Sequence, residues 1–247
     1  MHGLVDIPKD GEVAHSRAAC PIPCPVPRGA KIRPERFHRL RAVLARRQPD
    51  LTVLMDRVNK SHNFSAILRS CDAVGVLDAH VVPPERGLSI HHGSSAGTKK
   101  WVKVHRHPDV RTAIRHLTDE GFTVLAAHSA EGATDYREVD YTRPTAIVLG
   151  AELHGVSPET VELAHGLVSI PLAGMVRSLN VSVATALILF EARRQREAAG
   201  LYDVSRLPPS EFDRRLFEWA YPTVARGRRD AGRPYPALSE DGEIIRD

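Results

Sequence analysis

The chain has 247 residues, of which 42% are hydrophobic, so it can bury a sizeable core in one large domain or in one domain with appendages. An odd count of three cysteines argues against a disulfide framework. The sequence shows no secretory signal and no run of about 18 apolar residues, which argues against export and against a membrane span. We therefore expect a cytoplasmic protein. The net charge of +4 favours an anionic partner without identifying it.

The first segment, residues 1–33, contains the proline-rich section CPIPCPVP. Closely spaced prolines forbid a helix and disfavour a sheet, so we predict a disordered extension. Cys20 and Cys24 form one C-x3-C pair without a second pair, which is a poor zinc signal. The vicinal His91 and His92 also lack an acidic or sulfur partner at ligand spacing. We therefore predict no metal site.

Residues 34–50 are predicted to form a basic helix with Phe37, Leu40 and Leu44 on its apolar face. Arginines cover much of the remaining surface, and a guanidinium fork matches phosphate oxygens. The residues alone leave two interpretations open: a solvated charged face, or a helix that contacts RNA phosphates.

Residues 51–197 alternate short apolar runs with helical patterns, which predicts one α/β domain with a parallel sheet of about six strands and about five helices. Within it, Asn63 is predicted to cap a helix that Gly75 ends, and Pro108 is predicted to begin another helix. Residues 101–105 are predicted to form a strand, and residues 129–144 a loop.

The last two units of this domain each run from a strand through a glycine-bearing loop into a helix. One strand stops at Gly150, and Ser157 followed by Pro158 begins the next helix. The other strand leads through a loop to Asn180, which is predicted to cap a long helix. Such loops lie at the carboxyl ends of parallel strands, where ligands bind.

The tail, residues 198–247, is predicted to contain one helix near residues 211–220 and to be only partly ordered beyond it. It carries a basic run formed by Arg226, Arg228, Arg229 and Arg233.

Several segments resemble a known enzyme family. The segments IVLGAELHGVS and SIPLAGMVRSLNVSVATALILFEARRQR closely resemble the second and third signature motifs of the knotted SPOUT RNA methyltransferases. The segments ARRQPDLTVLMDRV, NFSAILRSCDAVGV and DYREVDYTRP resemble the TrmH type, the tRNA guanosine-18 2'-O-methyltransferases. The resemblance spans about residues 35–245 and leaves out only the extension.

The resemblance implies a parallel-sheet SPOUT fold with a C-terminal trefoil knot, flanked by N- and C-terminal helical arms. It also implies S-adenosylmethionine as methyl donor, tRNA as partner, and a homodimer whose active site is completed at the interface. The reaction implied is methyl transfer to the ribose 2'-hydroxyl of guanosine 18 in the D-loop of tRNA.

Site residues follow from the same resemblance, because this sequence carries the matching motif positions. The implied catalytic set is Arg69, Asn63, Glu152, Ser178 and Asn180. The implied cofactor-binding set, which acts largely through backbone atoms, is Ala127, Gly150, Ile170 and Leu179. The candidates for contact with RNA phosphates are Arg46, Arg47, Arg193, Arg194 and Arg196.

Arg69 is the key catalytic residue that the resemblance implies, in the motif N-x-x-A-x-x-R. A guanidinium keeps its proton at physiological pH and is a poor general base. We therefore expect Arg69 to fix the ribose and its phosphate and to stabilise the developing alkoxide. A salt bridge with Asp72 is the structural alternative. One departure from the motif, Leu153–His154 where relatives often carry a lysine, leaves Glu152 unchanged.

Three alternative functions remain open. The same chemistry could act on ribosomal RNA or on another tRNA position. A non-catalytic RNA-binding protein could have kept the fold, although the intact catalytic set argues against it. A nicotinamide-dependent oxidoreductase would also use an α/β sheet, but no G-x-G-x-x-G follows the first strand.

Overall fold

A computed structural model describes residues 31–84, 100–152 and 154–245. Most of the predicted extension, with Cys20 and Cys24, lies outside the described residues, as do His91, His92 and Leu153. No helix in the described part of the chain is long and apolar enough to cross a membrane.

Within the described residues, seven strands form a single sheet in which every pairing is parallel. In chain order they are β1 Leu51–Asp56, β2 Asp78–Val82, β3 Lys103–Arg106, β4 Thr123–Ala127, β5 Thr134–Asp135, β6 Thr145–Leu149 and β7 Gly166–Ser169. Their order across the sheet is β3-β2-β1-β6-β4-β7-β5. The predicted parallel α/β sheet is confirmed. The short edge strand β5 falls where a loop was predicted, and β3 begins two residues later than predicted.

Seven helices accompany the sheet in the described residues. In chain order they are α1 Pro34–Ala45, α2 Ser61–Val74, α3 Val110–Asp119, α4 Pro158–Leu163, α5 Val181–Ala198, α6 Pro209–Ala220 and α7 Pro222–Asp230. The second tail helix, α7, was not predicted.

Alternate residues of the central strands pack on opposite faces of the sheet, as the two-residue period of a strand requires. On one face Val53 packs with Phe64 of α2 and Leu189 of α5. On the other face Leu54 packs with Leu117 of α3. The buried strands therefore read as continuous apolar runs rather than as alternating patterns.

Local capping signals place most helix ends where the sequence predicted them. The Ser157 hydroxyl accepts from the Thr160 amide at 3.2 Å, at the start of α4. Gly75 ends α2 with φ of +87°, a left-handed conformation that glycine adopts without strain. Asn63 is a correction: α2 begins at Ser61 after Lys60, so Asn63 lies inside the first turn with its side chain buried.

Helices α1, α6 and α7 form a separate apolar layer beside the sheet. Phe37 and Leu44 of α1 pack with Leu216 of α6. The Tyr221 hydroxyl between α6 and α7 donates to the Gly242 carbonyl at 2.7 Å, which holds the end of the tail against these helices. The two terminal segments thus pack on each other.

Arg196 was predicted to contact RNA phosphates, and the structure corrects this. The side chain is 0% exposed. It donates to the Asp50 carboxylate at 2.7 Å, to the Tyr141 carbonyl at 2.8 Å and to the Arg143 carbonyl at 3.0 Å. Asp50 and Arg143 precede β1 and β6, so Arg196 joins α5 to the amino ends of the central strands.

Arg47 is the second correction, because its side chain is only 1% exposed. It forms an ion pair with Asp72 and donates to the Val76 carbonyl at 3.0 Å. The guanidinium also lies 5.3 Å from the ring of Trp219. A residue enclosed in this way cannot reach a phosphate, and its pairing with Asp72 removes the partner that was considered for Arg69.

Candidate active site

Three of the residues expected to bind the cofactor lie at neighbouring strand ends. Ala127 is the last residue of β4, Gly150 follows β6 and Ile170 follows β7. These strands are adjacent in the order β6-β4-β7, and all three run in the same direction. Their carboxyl ends therefore form one edge of the sheet, which is where ligands bind in parallel α/β folds. Leu179 lies one residue before the cap of α5.

The loop after β6 is a tight turn that only glycine permits at its first position. A Cβ atom added at Gly150 would lie 1.9 Å from the carbonyl carbon of Gly155. The Gly155 amide donates to the Ala151 carbonyl at 2.8 Å, and Gly155 has φ of +66°. The turn holds Glu152 over the neighbouring loop after β1.

Glu152 accepts three hydrogen bonds from the β1–α2 loop and the first turn of α2. The Asn63 side-chain amide donates at 2.8 Å, the Lys60 amide at 3.1 Å and the Asn59 amide at 3.3 Å. Burial alone would raise the pKa of Glu152, but these donors and its own amide hold that pKa below its usual value. Glu152 is therefore a carboxylate at neutral pH, with its oxygens occupied by donors, and it holds the β1–α2 loop in place.

Asn63 also forms a hydrogen bond with Asn180, which extends the network that begins at Glu152. The Asn180 side-chain amide donates to the Asn63 side-chain oxygen at 3.2 Å. The Asn180 oxygen accepts from the Ser182 amide at 2.8 Å, which confirms Asn180 as the cap of α5. Glu152, Asn63 and Asn180 thus connect the loops that follow β6, β1 and β7.

Arg69 and Ser178 are not part of this hydrogen-bonded network. Both side chains are exposed, and within the described residues neither forms a hydrogen bond or an ion pair. Six residues separate Arg69 from Asn63, a rise of about 9 Å along α2. Arg69 is therefore available to an external ligand.

Asp56 and Arg57 at the end of β1 were missed by the sequence reasoning. Asp56 is buried and accepts from the hydroxyls of Ser157 at 3.2 Å and Thr160 at 2.9 Å, which fixes the start of α4. Arg57 has φ of +54°, a strained conformation for a residue with a side chain. The sequence signal that could have identified Asp56 is an acidic residue at the end of an apolar run, LTVLMD.

Three of the five predicted phosphate-contact arginines remain accessible. Arg193 pairs with Glu197 at 2.7 Å, and Arg194 pairs with Glu191 at 2.7 Å, each within α5. Arg46 lies 3.8 Å from Glu197. Further exposed arginines on α1 form no ion pair within the described residues: Arg36, Arg39 and Arg41.

The parallel sheet and the polar network at its carboxyl edge define an α/β enzyme whose ligand site is built from strand-end loops. The sequence matches the SpoU rRNA Methylase family over residues 50–190 and the C-terminal SpoU rRNA methylase family over residues 194–247. This chain belongs to the SpoU methylase family.

Individual relatives agree with this assignment. A tRNA (guanosine(18)-2'-O)-methyltransferase of Thermus thermophilus is 56% identical over 184 residues, which cover 74% of this chain and 95% of that protein. The crystal structure of the A. aeolicus TrmH/SpoU tRNA modifying enzyme is 45% identical, with a TM-score of 0.72, and the match covers 77% of this chain and 97% of that one.

A third relative was solved with its cofactor. The SpoU methyltransferase AviRb from Streptomyces viridochromogenes, in complex with AdoMet, is 30% identical with a TM-score of 0.55. The match covers 61% of this chain and 62% of that one.

Proposed function

We propose that this protein transfers a methyl group from S-adenosylmethionine to the ribose 2'-hydroxyl of guanosine 18 in tRNA. The observation that carries the proposal is the 56% identity to the Thermus thermophilus enzyme of that activity, across 95% of its length. The intact set of Asn63, Arg69, Glu152, Ser178 and Asn180 supports catalysis over RNA binding alone.

The residues at the carboxyl edge fit this cofactor. Ala127, Gly150, Ile170 and Leu179 carry small or apolar side chains at neighbouring strand ends or beside the cap of α5, which suits a ligand held by backbone groups and apolar contact. When bound there, S-adenosylmethionine supplies an electrophilic methyl group on a sulfonium centre.

The chain's own residues position the substrate and stabilise charge. The ribose 2'-oxygen would accept the methyl group that bound S-adenosylmethionine supplies, and the hydroxyl proton would pass to water or to the substrate phosphate. Arg69 donates to the ribose and stabilises negative charge on that oxygen. Glu152 is a positioning residue, since its oxygens are occupied by the donors that hold the β1–α2 loop.

The methyl-transfer assay tests both the reaction and the position. Labelled S-adenosylmethionine is incubated with unmodified tRNA transcripts that carry guanosine or adenosine at position 18. Label on the guanosine transcript alone is expected. Equal label on both would reject position 18, and no label on either would direct the search to ribosomal RNA and then to a non-catalytic role. Calorimetry with S-adenosylhomocysteine and NAD tests the oxidoreductase alternative, since we expect binding of the former alone.

A homodimer with the active site completed at the interface is a further part of the proposal. Helix α5 begins at the candidate site and leaves three apolar side chains exposed on one face: Val183, Leu187 and Phe190. Such a face on a helix that reaches the site is consistent with a partner subunit. Light scattering should give twice the chain mass, and Leu187→Glu should reduce both that mass and turnover.

We assign RNA contact to the basic N-terminal helix, residues 34–50, with Arg46 as a candidate contact there and with Arg193 and Arg194 of α5 as further candidates. The exposed arginines of α1 support contact with RNA phosphates, and α1 itself packs against the tail. We also infer the family's C-terminal trefoil knot and a cytoplasmic location, which a tRNA substrate supports.

A further inference from the structure

A cluster of histidines lies on the α3 side of the sheet, away from the candidate active site. His80 lies in β2, His107 follows β3 and His116 lies in α3. One ring nitrogen of each lies within 4.8 Å of those of the other two. Nδ1 of His80 and Nε2 of His107 are 2.9 Å apart.

We propose that His80, His107 and His116 bind one divalent transition-metal ion of the zinc class. Zinc binds imidazole nitrogen at about 2.0–2.1 Å, so nitrogens around a tetrahedral ion lie about 3.3–3.4 Å apart. The His80–His107 distance of 2.9 Å is somewhat shorter than this value, and all three nitrogens lie within 4.8 Å of one another, so side-chain rotations would bring them around one ion. Three imidazoles and a water complete a tetrahedral zinc set, in which the ion replaces the hydrogen bond between His80 and His107.

The surroundings of the cluster suit a cation. Glu120 Oε1 lies 3.5 Å from Nε2 of His116. His105 stacks on His80 with ring centroids 5.1 Å apart, and its Nε2 lies 3.7 Å from Asp78 Oδ1. Asp78 is already paired with Arg215 at 2.7 Å, so Glu120 is the carboxylate that supplies negative charge beside the three imidazoles, as outer carboxylates commonly do at metal sites.

The cluster reaches into the interior of the protein, because His80 is only 4% exposed.

The ion would fasten the edge of the sheet to a helix. Strand β3 is one of the two edge strands of the sheet, and its residues are exposed or half-buried. His107 immediately follows β3, and its amide donates to the Val81 carbonyl at 2.9 Å. Coordination by His80, His107 and His116 would join β2, the end of β3 and α3. We therefore assign the ion a structural role that does not involve Glu152 or Asn63.

The test uses the full chain without a histidine tag, after treatment with a chelator. Zinc is titrated by calorimetry, and Co²⁺ serves as a spectroscopic probe through its visible absorption. We expect one equivalent of either ion, a tetrahedral Co²⁺ spectrum, and a Tm increase of about 5–10 °C at about 100-fold excess over Kd.

Variants locate the ligands. His107→Gln and His116→Gln, both at half-buried positions, should each weaken binding more than about tenfold. The matched control His105→Gln changes the neighbouring histidine that stacks on His80 and is not among the three ligands, and it should bind zinc as the wild type does. Circular dichroism without metal checks that each variant is folded.

Other side chains of the chain could also hold zinc, so a second control replaces Cys20, Cys24, His91 and His92 together. Binding should survive in this variant. The proposal is overturned if the protein takes up no metal, if binding persists in both His107→Gln and His116→Gln, or if His105→Gln loses binding equally.

Discussion

Replacing Arg196 with alanine should damage folding without changing how the folded protein contacts RNA. The substitution would orphan the Tyr141 carbonyl, remove one of the two donors to the Arg143 carbonyl and remove one of the two arginines that pair with Asp50. Removing one partner of a buried ion pair costs about 3–5 kcal/mol. The remaining pair between Arg206 and Asp50, at 2.6 Å, keeps the effect within that range.

The expected loss is large for a domain of this size. A change of about 3–5 kcal/mol corresponds to a Tm decrease of about 6–20 °C for a chain of 150–250 residues. Urea unfolding and calorimetry measure it directly. The matched control is Arg194→Ala on the same helix, where the exposed pair with Glu191 contributes little to stability. Arg196→Lys keeps the charge but loses the planar fork, so it should fall between the two.

Salt dependence of tRNA binding separates the structural role from phosphate contact. The slope of log K against log salt should be unchanged in Arg196→Ala, measured where the variant is folded. The slope should decrease in magnitude by about 1 in Arg194→Ala if that residue contacts a phosphate. If Arg196→Ala were as stable as the wild type and lowered the slope, the structural assignment would be refuted.

Other substitutions test the active site and the arms. Arg69→Ala should lower turnover by about 10²–10³-fold and keep S-adenosylhomocysteine binding. Because the side chain is exposed, the free energy of unfolding should change by no more than about 0.5 kcal/mol. Wild-type turnover in this variant would remove Arg69 from the mechanism. Glu152→Gln should cost about 1–3 kcal/mol, since an amide cannot accept all three hydrogen bonds, and unchanged unfolding would contradict the positioning role. Because the pKa of Glu152 is lowered in the folded state, its carboxylate stabilises the fold fully above about pH 5, and this stabilisation is lost as pH falls through that pKa. The free energy of unfolding of Glu152→Gln should therefore decrease less on acidification than that of the wild type. Combined Arg36→Ala, Arg39→Ala and Arg41→Ala should flatten the salt dependence of tRNA binding, whereas deletion of residues 1–33 should leave turnover unchanged.

The sequence was informative wherever a local pattern sets the structure. Ser157 with Pro158, Gly75 and Asn180 mark helix ends because the groups they cap or replace lie within a few residues of them. Asn63 was misplaced as a cap because the actual boundary at Lys60 carries no capping side chain. The helix was therefore predictable, but its first residue was not.

The burial of charged residues was harder to predict. Arg196 falls on the same face of α5 as Leu189 and Ala192, which are buried, and this helical spacing was the available signal. The charge alone suggested exposure, since an unpaired arginine is costly to bury. Its partners before β1 and β6 become neighbours only after the sheet has formed.

By itself the sequence determined the parallel α/β class, the strand–loop–helix units and the residue types at the site, because propensities, caps and short motifs act over a few residues. Tertiary structure decided the strand order, and with it the contacts between Glu152, Asn63 and Asn180. It also decided which arginines are enclosed and that His80, His107 and His116 meet. These contacts join residues far apart in the chain, and they exist only where packing of the sheet and its helices brings separate segments together.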